Sequence, residues 1–402
     1  MRILRLMVCC ALSLAAGAAG AARPLQALID ATPAGGVLRL AAGDYAGPAT
    51  IDKPLTLEGG GRARLLGGGR GTVLGVATDG AVVRGLTFSG SGDSHDAIDA
   101  GILVAGDGNT IEDNVLEDVL FGIHVRGGNR NRIAGNRIVG KNLPTAQRGD
   151  VIRVWNGRHN RIEHNRFFRA RDLTLTNSPD NAVVGNRFAD GRYGMHLVFS
   201  PRLLIEGNRI ERTQTGIVAM YSPELTVRGN QVRHVFDGGG AGLVFKDSGG
   251  ALVERNEVVH CSAGLMADAP LNADLTLTLR ANRFAHNLIG LSFHGELGGH
   301  RILANRFENN LTQIFVSAPG VGASNVWEGN YWSDYQGFDR DGDGIGDTPH
   351  ENWLYADRIW METPPAAFFR NSPVLELIDF LERLAPFSLP HRILSDPRPR
   401  MR

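Results

Sequence analysis

Residues 203–245, LLIEGNRIERTQTGIVAMYSPELTVRGNQVRHVFDGGGAGLVF, state one pattern twice. Each copy has an apolar residue, two variable residues, Asn, one variable residue, an apolar residue and then a Gly-apolar pair. Asn208 and Asn230 hold equivalent places. The same Asn recurs at 114, 136, 165, 186, 256, 282, 305 and 330, with gaps of 21 to 29 residues. A period of this size decides the architecture before any other feature does. Each copy holds two short, β-branched, nearly alternating runs broken by Asn, Gly or a polar pair, which is the pattern of strands and turns. No stretch between copies carries the 3.6-residue periodicity of a crossover helix. Strand, turn, strand, turn stacks into a parallel β-helix. Asn suits its corners through tolerance of the left-handed region, and stacked Asn amides can form a ladder along the axis. A leucine-rich repeat shares the period but needs L-x-x-L-x-L-x-x-N, which these copies lack. The expected class is all-β: a right-handed parallel β-helix with a short N-terminal cap helix and a C-terminal helical tail.

Outward from the repeats, the chain divides into three parts. Residues 1–21 read as a signal peptide: Arg2 and Arg5, an apolar run from Leu6 to Ala16, then Ala19-Gly20-Ala21 as a small-residue cleavage site. Residues 22–330 form the β-helix, opened by a short amphipathic helix at Pro24–Ala34 that covers the first rung. Residues 331–402 hold an Asp-rich loop, a helix over Pro373–Leu384 read as a second cap, and a Pro- and Arg-rich extended tail. Two copies carry insertions, Gly140–Asp150 and Asp237–Gly240. Insertions in a solenoid map to its flank and often form the binding face.

The implied setting is export to the periplasm. Cys9 and Cys10 leave with the signal, so Cys261 is the one mature cysteine and no internal disulfide can form. Lys plus Arg equals Asp plus Glu at 42 each, which gives no reason to expect nucleic acid or an anionic surface as the main partner.

Counting from each repeat Asn sorts side chains into columns. Position plus nine points inward: Ile123, Met195, Ile217, Leu265 and Leu291. Plus ten and plus twelve then point outward. They carry His196, Met220, Met266 and His294, with Lys246 falling into line once four inserted residues are allowed. Imidazole and thioether together suit copper. Position plus four gives His234, His260 and His286 on three successive rungs, either a second copper-ligating set or a stack of turn residues. Asp339, Asp341, Asp343 and Asp347 form D-x-D-x-D-G-x-G-D, whose alternating carboxylates suit calcium, although position twelve is His350 and the loop is not an EF-hand. Asp93, His95, Asp96 and Asp99 make a local acidic cluster. It is the main sign of an enzyme, a β-helix polysaccharide lyase, epimerase or hydrolase, with a carbohydrate-binding solenoid as a further alternative. Glycoside hydrolysis needs two carboxylates on opposite sides of the bond, and no second group stands in a matching register. We therefore expect no enzyme.

The non-repeat motifs are more specific. DAIDAGILV (96–104), DVLFGIHV (118–125), RGDVIRVWN (148–156), GRYGMHLVFS (191–200), GIVAMYS (216–222), AGLVFKD (241–247), GNYWSDYQGFDRDGDGIGDTPH (329–350) and NSPVLELIDFLERLAPF (371–387) together resemble the NosD family of periplasmic maturation proteins for nitrous oxide reductase. The resemblance covers essentially the whole mature chain. It implies a scaffold or transient copper relay, with contact to the membrane only through an ABC-type membrane subunit and its cytoplasmic ATPase. It also implies contact with a copper chaperone and with nitrous oxide reductase. His196 and Met220 lie inside these motifs; the resemblance assigns them no ligand role.

Overall fold

A computed structural model describes residues 22–268, 276–295, 298–317, 320–322, 324–354, 372–384 and 391–401. The expected signal peptide lies outside these residues. From Thr110 to Val316 each repeat contributes three short strands, and each strand pairs in parallel with its counterpart one repeat on. The longer strands, such as Tyr193–Val198 and Thr215–Met220, stack into a twelve-stranded sheet. At the strand spacing this gives a rod on the order of 50 Å long. The remaining strands stack as two further faces. Inward side chains from all three fill one continuous apolar core, from Leu25 to Leu394. A core of that length replaces disulfides as the source of stability.

The Asn ladder runs the length of the rod. Asn208 Oδ1 accepts from the backbone N–H and the Nδ2 of Asn186, and its own Nδ2 donates to Asn230 Oδ1 at 2.9 Å and to Val183 O at 2.8 Å. The same pattern links Asn114 through to Asn330. The sequence reading placed each Asn itself in the left-handed region, and the structure corrects this. The residue before it turns the corner: Asp113, Gly135, His164, Gly185, Gly207, Gly229, Arg255, Ala281, Ala304 and Gly329 all have φ between 53° and 67°. Asn is needed for its amide, which satisfies buried backbone groups that the bend leaves unpaired.

Both ends are closed. The N-terminal helix spans Leu25–Ala31 and buries Leu25 and Ile29. Its Gln26 amide accepts from Thr50 N at 2.7 Å and donates to Thr50 O at 3.1 Å, pairing the otherwise open edge strand Ala49–Ile51. At the far end, His350–Leu354 and His391–Asp396 form an antiparallel pair. Ile393 and Leu394 join the core, and the buried Asp396 carboxylate accepts from Gly329 N, Asn330 N, Asn330 Nδ2 and Trp332 Nε1. A segment of the tail thus seals this end. The Pro373–Leu384 helix instead exposes Val374, Leu377, Phe380, Leu381 and Leu384, each 46 to 68 % exposed.

Candidate copper face and flanking groove

The pairing register reproduces the sequence columns. His196 pairs with Val218, Val218 with Val244, and Val244 with Met266; Val198 pairs with Met220, Met220 with Lys246, Lys246 with Asp268 and Asp268 with His294. Met195 is buried in the core. The four outward His and Met residues fall into two pairs. His196 and Met220 lie diagonally on adjacent rungs, as do Met266 and His294. Between the pairs stands the Val244/Lys246 rung, so Met220 and Met266 are two strand spacings apart, about 10 Å along the axis. The structure does not gather them into one centre.

The face is also less open than alternation alone predicts. His124, Val218 and Ser292 of the plus-ten column are buried, as is Thr174, which pairs with His196; His196 is half-buried, its ring centre 5.3 Å from that of Tyr193. Rungs above and below and long side chains on either flank cover this middle column. Burial lowers the pKa of His196. His294 contacts Ser292 Oγ at 2.8 Å, and Lys246 lies 3.7 Å from Asp268.

Burial pushes His124 down to about 4, helped by Arg153 and Arg126. A pH dependence follows. Below about 6.5 the unfolded chain protonates this imidazole, while the folded chain stays neutral until about pH 4. Stability from this residue is therefore lost as pH falls through that window. Between pH 7 and pH 4, wild type should lose up to about 3 kcal/mol relative to His124→Gln. Unfolding midpoints of both proteins across that range check this.

Beside this column sits a buried ionic cluster that no repeat column marks. Asp150 and Asp172 are fully buried at the start of successive strands. Arg192 grips Asp172 with two nitrogens, and Tyr193 N donates to the same carboxylate at 3.0 Å. Arg171 Nε reaches Asp150 Oδ1 at 3.3 Å, while Asp150 Oδ2 has no hydrogen-bond partner among the described residues. Burial and the neighbouring Asp172 push Asp150 up to about 6. A local signal was present: RGD at 148–150 and RD at 171–172 each place an Arg-acid motif at the entry to a sheet strand.

The acidic loop does not form an open acid–base pair. Asp93 is bound by Lys141 Nζ at 2.5 Å, Asp99 accepts from Ser94 N at 2.9 Å, and His95 reaches Gln147 O at 3.0 Å. Ile98 and Leu143 pack on the Ala100, Leu120 and Phe121 cluster. The loop is a joint that fastens the 140–150 insertion to the rod.

The two insertions face one another across a polar groove of about 600 Å³, lined by Arg148, Asp190, Arg212, His234, Phe236 and Asp237 among others. His234 stands at its edge and begins the second set. Ring centres are 5.3 Å apart for His234 and His260 and 5.4 Å for His260 and His286. All three are exposed, with φ of 55° to 58°. Cys261 beside them faces the core with its thiol pushed up to about 12 by burial. Among the described residues, only Asp339, Asp341 and Asp343 bring three ligand atoms of His, Cys, Asp or Glu within 4.8 Å of one another. Asp339 already accepts from the N–H groups of residues 342, 343 and 344, and Asp347 turns away to accept from Arg340 N.

A covered rod with a ladder-lined corner and flank loops defines the parallel β-helix class, and solved structures agree. The A-module of mannuronan C-5 epimerase AlgE6 from Azotobacter vinelandii superposes with a TM-score of 0.58 at 14 % identity, covering 75 % of this chain and 93 % of that one. PfbA, a surface adhesin of Streptococcus pneumoniae, gives 0.55 at 12 % identity, covering 79 % and 88 %. At such identities the likeness concerns fold alone. The sequence model of the NosD family, described as periplasmic copper-binding protein, matches residues 130–337. A Pseudomonas aeruginosa protein named "Probable ABC transporter binding protein NosD" is 31 % identical, covering 91 % of this chain and 88 % of its own length. A Stutzerimonas stutzeri protein of the same name is 29 % identical over 87 % and 83 %. The chain belongs to the NosD family. Among the described residues, no helix is long and apolar enough to cross a membrane.

Proposed function

We propose that this chain is a periplasmic accessory for copper-site assembly in nitrous oxide reductase. Residues 1–21 are removed on export. The rod is held by an ABC-type membrane subunit whose cytoplasmic ATPase drives changes in how it grips its clients. Copper is cargo, received from a chaperone and passed to the reductase. One observation carries this reading. In a family described as copper-binding, the rod presents imidazole and thioether donors, while its buried carboxylates are held by arginines. The names of the relatives support the transporter as partner. The apolar helix over Pro373–Leu384 supplies a surface of the kind that lies in a groove of another protein.

The competing reading is a polysaccharide lyase or epimerase acting through Asp93 or Asp96. Purification from detergent-solubilised membranes separates the two. The accessory reading predicts recovery with a permease-like subunit and an ATPase. Recovery as a free protein that cleaves alginate or pectate, with loss of cleavage in Asp93→Asn or Asp96→Asn, would overturn it.

A further inference from the structure

The corner column that holds the three histidines is not a histidine column by backbone requirement. Asp118, Arg169, Asp190, Arg212 and Asn309 occupy the same left-handed position on other rungs, with φ of 48° to 62°. Asp, Arg and Asn all satisfy the turn. Where neighbours in this column carry charge they pair as opposites: Arg212 Nε lies 2.8 Å from Asp190 Oδ1. His234, His260 and His286 are instead three like groups in succession. Their rings meet tilted, at 54° and 63°, with no carboxylate interposed.

Three imidazoles in a row line up ring nitrogens that can act as ligands. Ring centres 5.3 Å and 5.4 Å apart put two imidazoles of adjacent rungs within reach of one ion held by two bonds of about 2 Å. The outer rings are two rungs apart and cannot join the same ion, consistent with the absence of a three-histidine group within 4.8 Å among the described residues. Each pair therefore supplies two ligands only. Zinc in proteins takes four. Two imidazoles and a low coordination number suit copper(I). Arg233 and Arg283 lie beside the middle ring. Glu257 is occupied by both arginines, at 2.8 Å and 2.9 Å. Cys261 is turned into the core and cannot compete.

We propose that His260 is the common ligand of two overlapping bis-imidazole copper(I) sites, His234–His260 and His260–His286, so that one ion steps along the ladder from the insertion-loop groove. This deepens the accessory reading and rests on it for the identity of the cargo. Because His260 is shared, the sites cannot both be filled, and the ladder holds one ion.

Anaerobic copper(I) titration of the full mature chain against bicinchoninate tests this. Asn is the replacement of choice, because Asn309 already occupies the same corner; melting curves verify the fold. His260→Asn should weaken ladder binding by more than about 100-fold, beyond the loss of an outer-shell partner. His234→Asn and His286→Asn should each cost only about twofold, two equivalent pairs becoming one. The His234→Asn/His286→Asn double variant should match His260→Asn. X-ray absorption of the chain carrying Met220→Leu and Met266→Leu, which removes the outward thioethers, should give two nitrogen scatterers. Wild-type affinity in His260→Asn, equal losses in all three single variants, or sulfur scatterers would overturn the proposal. Those results would leave the accessory function standing, since that is read separately from copper in the client reductase.

Discussion

Replacing Asn208 with alanine should cost about 3–5 kcal/mol, because it strands buried polar groups on the preceding rung and takes one donor from Asn230 Oδ1 on the next. Asn186 N loses its acceptor at 2.9 Å, and Val183 O loses its donor at 2.8 Å. Asn186 Nδ2 keeps Ile162 O but loses the ladder oxygen. None of these groups has water to turn to, since the ladder residues are buried along their length. In a stacked repeat each rung is stabilised mainly by its neighbours. The defect should therefore appear as a weakened central segment, with faster amide exchange from about residue 183 to 256. Arg209→Ala, whose exposed side chain reaches Glu211 at 3.1 Å, should change stability by no more than about 0.5 kcal/mol. Urea unfolding of the two variants checks the contrast.

The second large effect concerns docking. On the proposed function, the helix over Pro373–Leu384 is held by the membrane subunit through its apolar face. Leu377→Asp with Leu381→Asp places two charges on a surface now 56 % and 46 % exposed. Exposed residues contribute little to folding, so the rod should keep its melting temperature. Charges buried at the interface would meet no partner, which costs several kcal/mol each. Recovery with the permease should fall to background. Retention at the wild-type level would remove this helix as the docking element.

Much of the fold was legible because a solenoid repeats its own evidence. The Asn spacing yielded the rungs, and the rungs yielded columns that the structure reproduces residue by residue, down to the four-residue offset of Lys246. Features confined to one place were harder to read. Asp396 caps a ladder residue 66 positions away, and no local pattern announces such a pairing. The groove depends on insertions at 140–150 and 237–240 meeting on one flank, which needs the rod's geometry. The outward columns were identifiable, but their crowding was not: alternation says which way a side chain points and nothing about what covers it. Spacing also put His196, Met220, Met266 and His294 on one face. The register put Lys246 in line as well, and the structure adds Val244 beside it on the rung that separates the two pairs.

The most direct test of the accessory function is the copper content of nitrous oxide reductase purified from cells that lack this chain and from cells in which it is restored. The account predicts reductase that is exported and folded but lacks copper without the chain, and regains it with the wild-type chain. Reductase fully loaded with copper in cells lacking the chain would contradict it.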